Sequence, residues 1–439
     1  MSIRLSIILL LFTISFSTAG EQPPNIILCM TDDQGWGDAS YQGHPKLKTP
    51  HLDDLSRRGI RFDRFYAAAP VCSPTRGSFL TGRHPNRFGC FLYGYPLKTE
   101  EITLPQYLQK AGYRTGHFGK WHLNGISGPG KAVLKSDPLH PGVFGFDRWV
   151  SASNFYDLNP SLGKDGVATD YQGDGSDIAV AETIKFIDAE QADDTKKPFC
   201  AVVWFGNPHL PHKALQEDLK AAGGSHYHGE IIAIDRAMGT IVKALADRRI
   251  SENTIVFFCS DNGGKEVGST GDLRGFKGSV WEGGLRVPGL LVWPSKIKPV
   301  VTAEPACTSD LLPTILDLLN IPLADKRPID GVSWKPLIEG KPWKREGGIG
   351  FWHYAAGKKN AGNQKFAIEV GHAAWNKGNY KLHRTAKGDF QLYDLVTDRQ
   401  EKNDLATKMP DLLKEYQAEL TTWQKSVVNS YRGLDYPKK

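Results

Sequence analysis

Short apolar runs alternate with longer amphipathic stretches along most of this chain. NIILCM (25–30), FCAVVWF (199–205) and NTIVFFCS (253–260) have strand length and lack the polar alternation of a half-exposed strand. Such runs suit strands covered on both faces. YRTGHFGKWH (113–122) reads as a further strand. Between them the apolar spacing becomes helical, as in SDIAVAETIKFIDA (176–189) and GEIIAIDRAMGTIVKALADR (229–248). TPHLDDLSRRG has Thr49 as cap, Pro50 in the first turn and Gly59 as stop, and TLPQYLQKAG repeats that grammar with Thr103, Pro105 and Gly112. The alternation predicts an α/β fold with a doubly wound, mostly parallel central sheet. After Trp334 the texture changes. AAWNKGNYKLHRT and GDFQLYDLVTDRQEKNDLA suggest an antiparallel hairpin and turn, and MPDLLKEYQAELTTWQKSV a closing helix. We expect a main body over 24–346 and a smaller α+β subdomain over 347–439.

The polar clusters keep phase with the strands. Asp32-Asp33, Lys120-Trp121-His122, His209 and Asp261-Asn262 each follow a buried run. Ligands of open α/β sheets bind beyond the carboxyl ends of the strands, so these distant groups are expected in one cleft. Asp32, Asp33, Asp261 and Asn262 make an all-oxygen set suited to Ca²⁺ or Mg²⁺. Adjacent residues of a strand point to opposite faces, so both aspartates reach one ion only if the chain turns there, which Gly35 and Gly37 permit. DDQG and SDNGG also read as plain turns. Lys120 and His122 share a face if the segment is extended. With Arg76, His209 and Lys277 they would surround a tetrahedral oxyanion with fixed positive charge, an acid and a base.

Composition and charge narrow the partners. The chain has 439 residues, 40% hydrophobic and 23% charged, and a formal charge of +6. The excess is spread without a basic run, which argues against nucleic acid. MSIRLSIILLLFTISFSTAG places Arg4, an apolar run and small residues in the order of a cleavable signal peptide over 1–20, hence a secreted or periplasmic protein with no membrane anchor after cleavage. Six cysteines are too few for a disulfide scaffold. Cys29, Cys200 and Cys259 lie in strand runs, and Cys90 and Cys307 are free to pair. Cys72 differs, because VCSPTRGSFLTGR gives it polar neighbours.

CSPTRGSFLTGR, TDDQGWGD, GKWHL, NPHLPH, SDNGG and LRGFKGSVWEGGLRVP together resemble the formylglycine-dependent type I sulfatases of the alkaline-phosphatase-like superfamily. FQLYDLVTDRQEKNDLA is similar to their C-terminal region. The resemblance implies that a separate formylglycine-generating enzyme oxidises Cys72 to an aldehyde whose hydrate attacks sulfur, its second hydroxyl later expelling sulfate. It implies Ca²⁺ on Asp32, Asp33, Asp261 and Asn262. Arg76 and Lys120 would steady the formylglycine, and His122 would be the base. His209 and Lys277 would bind the sulfate and protonate the leaving oxygen. Asn124 and Phe276 stand where the family has smaller residues.

The resemblance to the galactosamine-6-sulfatase and arylsulfatase branch implies a sulfated carbohydrate or aryl sulfate ester as substrate, a galactosamine- or galactose-6-sulfate-like sugar at a chain end. GFDRWVSASNFYDLNP is the candidate sugar-facing loop, with hydrogen bonds from Asn154, Tyr156 and Asp157 and stacking on Phe155. His212 and Trp281 are further candidates. Two rival readings are a phosphodiesterase or phosphonate hydrolase on the same scaffold and a non-catalytic glycan-binding relative.

Overall fold

The computed structural model describes residues 22–354 and 366–437, so the expected signal peptide lies outside the described residues. Ten strands form the main sheet. In spatial order they are Val300–Thr302, Ile60–Phe62, Gly289–Val292, Thr254–Ser260, Asn25–Thr31, Phe199–Trp204, Arg114–Lys120, Arg148–Ala152, Ser161–Lys164 and Val167–Asp170. The five strands from Thr254–Ser260 to Arg148–Ala152 run parallel. Gly289–Val292 is antiparallel to both neighbours, and Ser161–Lys164 to both of its own. The doubly wound α/β expectation holds, with antiparallel additions on both flanks of the parallel centre.

Apolar side chains alternate to the two faces of the central strands and feed two core layers. Ile26, Leu28, Val202 and Phe257 enter one with Phe79 and Trp334. Ile27, Cys29, Val203 and Phe258 enter the other with Ile234 and Met238 of the helix His226–Asp247. Burial on both faces is why these runs carry no polar alternation. The short helices also form, over Pro50–Arg58 and Leu104–Lys110. Gly59 is extended, φ −136°, and is needed for close packing: a Cβ there would lie 2.1 Å from Leu291 O.

Four antiparallel strands, Ile349–His353, His372–Lys377, Tyr380–Arg384 and Phe390–Asp394, make a separate C-terminal sheet. The helix Pro410–Tyr431 packs on it through Leu420 and Val427, in a cluster that also holds Phe91 from the main body. Arg87 and Asp330 form a bidentate pair beside this joint, at 2.7 and 2.8 Å. All six cysteines are buried and free. Cys90 and Cys307 do not pair, because they sit in different apolar clusters. No helix among the described residues is long and apolar enough to cross a membrane.

Candidate active site

Four parallel strands end at one edge of the sheet and pass into polar turns. Thr31 is paired with Ser260, and the Asp261 N–H continues the ladder to Thr31 O at 3.1 Å. The Asp32 N–H donates to Asn207 O at 3.0 Å and draws in the NPHLPH turn. Asp33 bends the chain in the left-handed region, φ +70°, and so brings two consecutive carboxylates to one side. The expectation that Gly35 and Gly37 supply this turn is corrected. Neither has positive φ, and each is needed for contact, since a Cβ would lie 2.2 Å from Ser269 O at Gly35 and 2.5 Å from Ser269 Oγ at Gly37.

Cys72 opens a buried ten-residue helix, Cys72–Thr81. The free N–H groups and positive end of that helix therefore face whatever group position 72 carries. Its Sγ is 3.5 Å from Asp32 Oδ1 and 3.5 Å from Lys277 Nζ. Arg76, one turn along the same face, donates to Asp261 Oδ2 at 2.7 and 3.1 Å and to Lys120 O at 3.1 Å. Lys120 Nζ donates to Asp32 Oδ2 at 2.5 Å. Lys277 Nζ lies 2.6 and 2.7 Å from the two Asp33 oxygens, and His209 Nε2 lies 3.7 Å from Asp33 Oδ2. Asn262 Nδ2 donates to Asp33 Oδ1 at 2.7 Å. Thus Asp32, Asp33, Asp261, Asn262, Cys72, Arg76 and Lys120 meet in one buried cluster, with half-buried His209 and Lys277 at its open side.

His122 joins by a turn rather than by strand alternation. The strand stops at Lys120 and His122 has φ +53°, so the extended reading of this segment is corrected. The imidazole is buried, and neither ring nitrogen has a hydrogen-bond partner among the described residues. Burial, reinforced by Lys120 and Arg76, holds it well below the ordinary histidine range, so it is neutral. Burial likewise pushes His209 down to about 3, with Asp33 opposing and Lys120 and Lys277 assisting. His209 Nδ1 donates to Leu210 O at 2.5 Å, which leaves the lone pair of the neutral ring on Nε2. Lys277 goes the other way: burial disfavours its charge, but Asp33 more than offsets that and raises it well above its ordinary value. Burial pushes the Cys72 thiol up to about 12 despite Lys120 and Lys277.

The donor set fits a hard dication. Asn262 Oδ1 is buried without a partner among the described residues, beside three carboxylates. Burial, with Asp32 nearby, also lifts Asp261 to about 6. An orphaned carbonyl oxygen and crowded carboxylates are what an oxygen-coordinated cation satisfies.

These elements match the sulfatase family over residues 24–321 and the C-terminal region of N-sulphoglucosamine sulphohydrolase over 275–426. This chain belongs to the sulfatases, which are sulfuric ester hydrolases. The ulvan-active sulfatase of Formosa agariphila is 30% identical across 94% of this chain and 83% of its own length. Human arylsulfatase A is 34% identical across 75% of this chain and 71% of its own. Among solved structures, Ps i-CgsB in complex with k-i-k-neocarrahexaose is 25% identical, covers 94% of this chain and 97% of its own, and superposes with a TM-score of 0.81.

In this sulfatase the candidate sugar-facing residues divide. Tyr156 is buried in the core, and its hydroxyl lies against Gly119, where a Cβ would be 2.8 Å away. Asn154 Nδ2 is used on Gly128 O at 2.6 Å. Phe155 stacks on the His209 ring at 4.7 Å and 11°, so its face is turned to a histidine. Asp157 is half-buried with Oδ1 unpartnered among the described residues, and burial with Glu230 nearby lifts it to about 7. His212 Nδ1 lies 3.3 Å from Glu230 Oε2. Trp281 stacks on His383 of the C-terminal sheet at 4.1 Å. Sequence reasoning passed over Asp38 and Tyr227. Asp38 accepts from the Gly35 and Ser269 N–H groups at 2.8 Å and from the Tyr227 hydroxyl at 2.5 Å, pinning the Asp33 turn. The last Asp of TDDQGWGD was their only signal.

Proposed function

We propose that this sulfatase is exported to the periplasm or medium and removes sulfate from a glycan, using formylglycine made from Cys72 by a separate maturing enzyme and Ca²⁺ held by Asp32, Asp33, Asp261 and Asn262. One juxtaposition carries the reading. Cys72 heads a buried helix with its Sγ 3.5 Å from Lys277 Nζ and from Asp32, among Arg76, Lys120 and His122. When bound, the dication would supply positive charge to a sulfate oxygen. Formylglycine would supply a hydrated aldehyde, with one hydroxyl to attack sulfur and a second to drive sulfate release.

The remaining work falls to the chain's own groups. Arg76 and Lys120 bracket residue 72 and fix its orientation. Lys277 Nζ would face the sulfate oxygens and lower the cost of charge built up on them, and His209 Nε2 would do so only in its protonated form. Because Nε2 of neutral His209 carries a lone pair, the Lys277 ammonium is the standing proton donor for the leaving alcohol oxygen. His209 would share that task once protonated. His122, neutral and unpartnered, takes the proton from the second hydroxyl. Residues 24–346 would form the catalytic body, and 347–439 a subdomain that buttresses the loop bearing Lys277.

Relatives named for ulvan and for N-acetylgalactosamine 6-sulfate favour a sulfated sugar. A 6-sulfated galactose or galactosamine at a chain end is the first candidate, with Asp157 and His212 on its sugar side. The test compares matured enzyme on an aryl sulfate, a phosphate diester, a phosphonate ester and a panel of defined sulfated saccharides. Preferential turnover of sulfate esters supports the proposal. Preferential phosphodiester or phosphonate hydrolysis, or binding of glycan without turnover, would overturn it.

A further inference from the structure

Lys277 lies in the glycine-rich stretch LRGFKGSVWEGGLRVP, and this loop is held from two sides. Toward the site, the Lys277 N–H donates to Gly264 O at 3.0 Å and the Gly278 N–H to Pro70 O at 2.8 Å. Away from it, both flanks of the loop converge on one residue of the C-terminal part, Glu401. Arg274 Nη1 donates to Glu401 O at 2.8 Å, and the Glu282 N–H donates to Glu401 Oε2 at 2.7 Å. The flanks are tied to each other where the Gly283 N–H meets Arg274 O at 2.7 Å. The other Glu401 oxygen meets His383 Nε2 at 2.7 Å and Lys381 Nζ at 3.2 Å, and Lys381 Nζ also donates to Glu282 Oε1 at 2.9 Å.

This clamp is costly to build, which argues for a specific use. Glu282, Lys381, His383 and Glu401 are all fully buried, and desolvated charges gain little net stability over apolar packing. Glu401 is also in the left-handed region, φ +53°, a conformation that a residue with a Cβ keeps only where its surroundings require it. The Glu401 contacts fix both ends of the span from Arg274 to Glu282, and Lys277 lies inside that span.

We propose that Glu401 is a positioning residue for Lys277: it clamps both flanks of the loop so that Nζ stays beside Asp33 and residue 72. The inference rests on the proposed role of Lys277 at the sulfate. The test uses the full matured chain and four forms: wild type, Glu401→Gln, Lys277→Ala and the double variant. Each is measured for kcat and KM on a chromogenic aryl sulfate, the inhibition constant of inorganic sulfate, and the melting temperature. Glu401→Gln is expected to raise KM and the sulfate inhibition constant roughly tenfold and to lower kcat/KM by up to about a hundredfold, the scale of a small misplacement. In the Lys277→Ala background the same change should alter kcat/KM by less than about twofold, because coupled groups do not add. Equal effects in both backgrounds would reduce Glu401 to a structural residue and overturn the proposal, as would an inert Glu401→Gln. If Lys277→Ala alone leaves sulfate inhibition and turnover intact, the assignment of Lys277 falls, and this inference with it. Should Glu401→Gln not fold, Arg274→Ala removes an exposed side chain from the same clamp and is expected to show the same coupling to Lys277. Additivity there overturns the proposal.

Discussion

At position 72 a thiol would be a poor reagent. Burial outweighs Lys120 and Lys277 and pushes it up to about 12, so at neutral pH it is protonated and weakly nucleophilic. Unmatured protein is therefore expected to resist alkylation of Cys72 by iodoacetamide at pH 7, read by peptide mapping. Rapid modification there would contradict the electrostatics described. Cys72→Ala should abolish turnover while leaving the cation site intact, since it removes none of the four proposed ligands and only the 3.5 Å Sγ contact to Asp32. Calorimetric Ca²⁺ titration separates the two effects. At this scale the sequence was most informative about residue type and least about backbone. Paired aspartates after a strand could be read directly, but the left-handed conformations of Asp33 and His122 could not. At the first turn Asn262, far along the chain, and Asp38 hold the conformation through hydrogen bonds that the spacing does not reveal.

The strands explain why such distant residues meet. Their apolar runs bury on both faces, the ladder keeps Thr31 level with Ser260, and the polar turns must then emerge side by side. That logic is local and periodic, so it was readable in advance. The loops between these turns were not, because their shape depends on close backbone contacts between residues far apart in the chain. A Cβ on Gly263 would lie 1.9 Å from Gly283 O, which locks the Asp261-Asn262 turn onto the loop bearing Lys277. Gly263→Ala is accordingly expected to cost about 1–3 kcal/mol in unfolding free energy. It should also lower kcat/KM more than that loss explains, measured by urea titration and by turnover on the same preparation. Unchanged kinetics would show that the two segments are not coupled.

For the molecule as a whole, the C-terminal sheet and helix are fastened to the main body by buried polar joints as well as by the cluster around Phe91. Asp330 accepts from Arg87, from the His84 N–H and from Trp423 Nε1 of the closing helix. Burial raises its carboxyl, but Arg87 more than offsets that and holds it well below the usual carboxylate range. A depressed folded-state value means that the unfolded chain binds the proton first. The joint's stabilisation is therefore complete above about pH 4 and is lost as acid titrates the folded carboxylate. Asp330→Asn should cost about 3–5 kcal/mol at neutral pH by leaving Arg87 buried without its partner. It should also flatten the acid limb of the stability curve, followed by denaturant unfolding at stepped pH. Cation binding should act on the whole fold as well. Ca²⁺ at a hundred times its dissociation constant should add about 2.7 kcal/mol, a chelator should reverse the rise in melting temperature, and Asp33→Asn should remove the response.

The most direct measurement is mass spectrometry of the tryptic peptide spanning Phe65 to Arg76, taken from enzyme purified by its sulfate-releasing activity. Position 72 is expected to be lighter than cysteine by the exchange of a CH₂SH side chain for CHO, and the aldehyde content to track specific activity across fractions. Full activity in fractions where position 72 is an unmodified cysteine would contradict it.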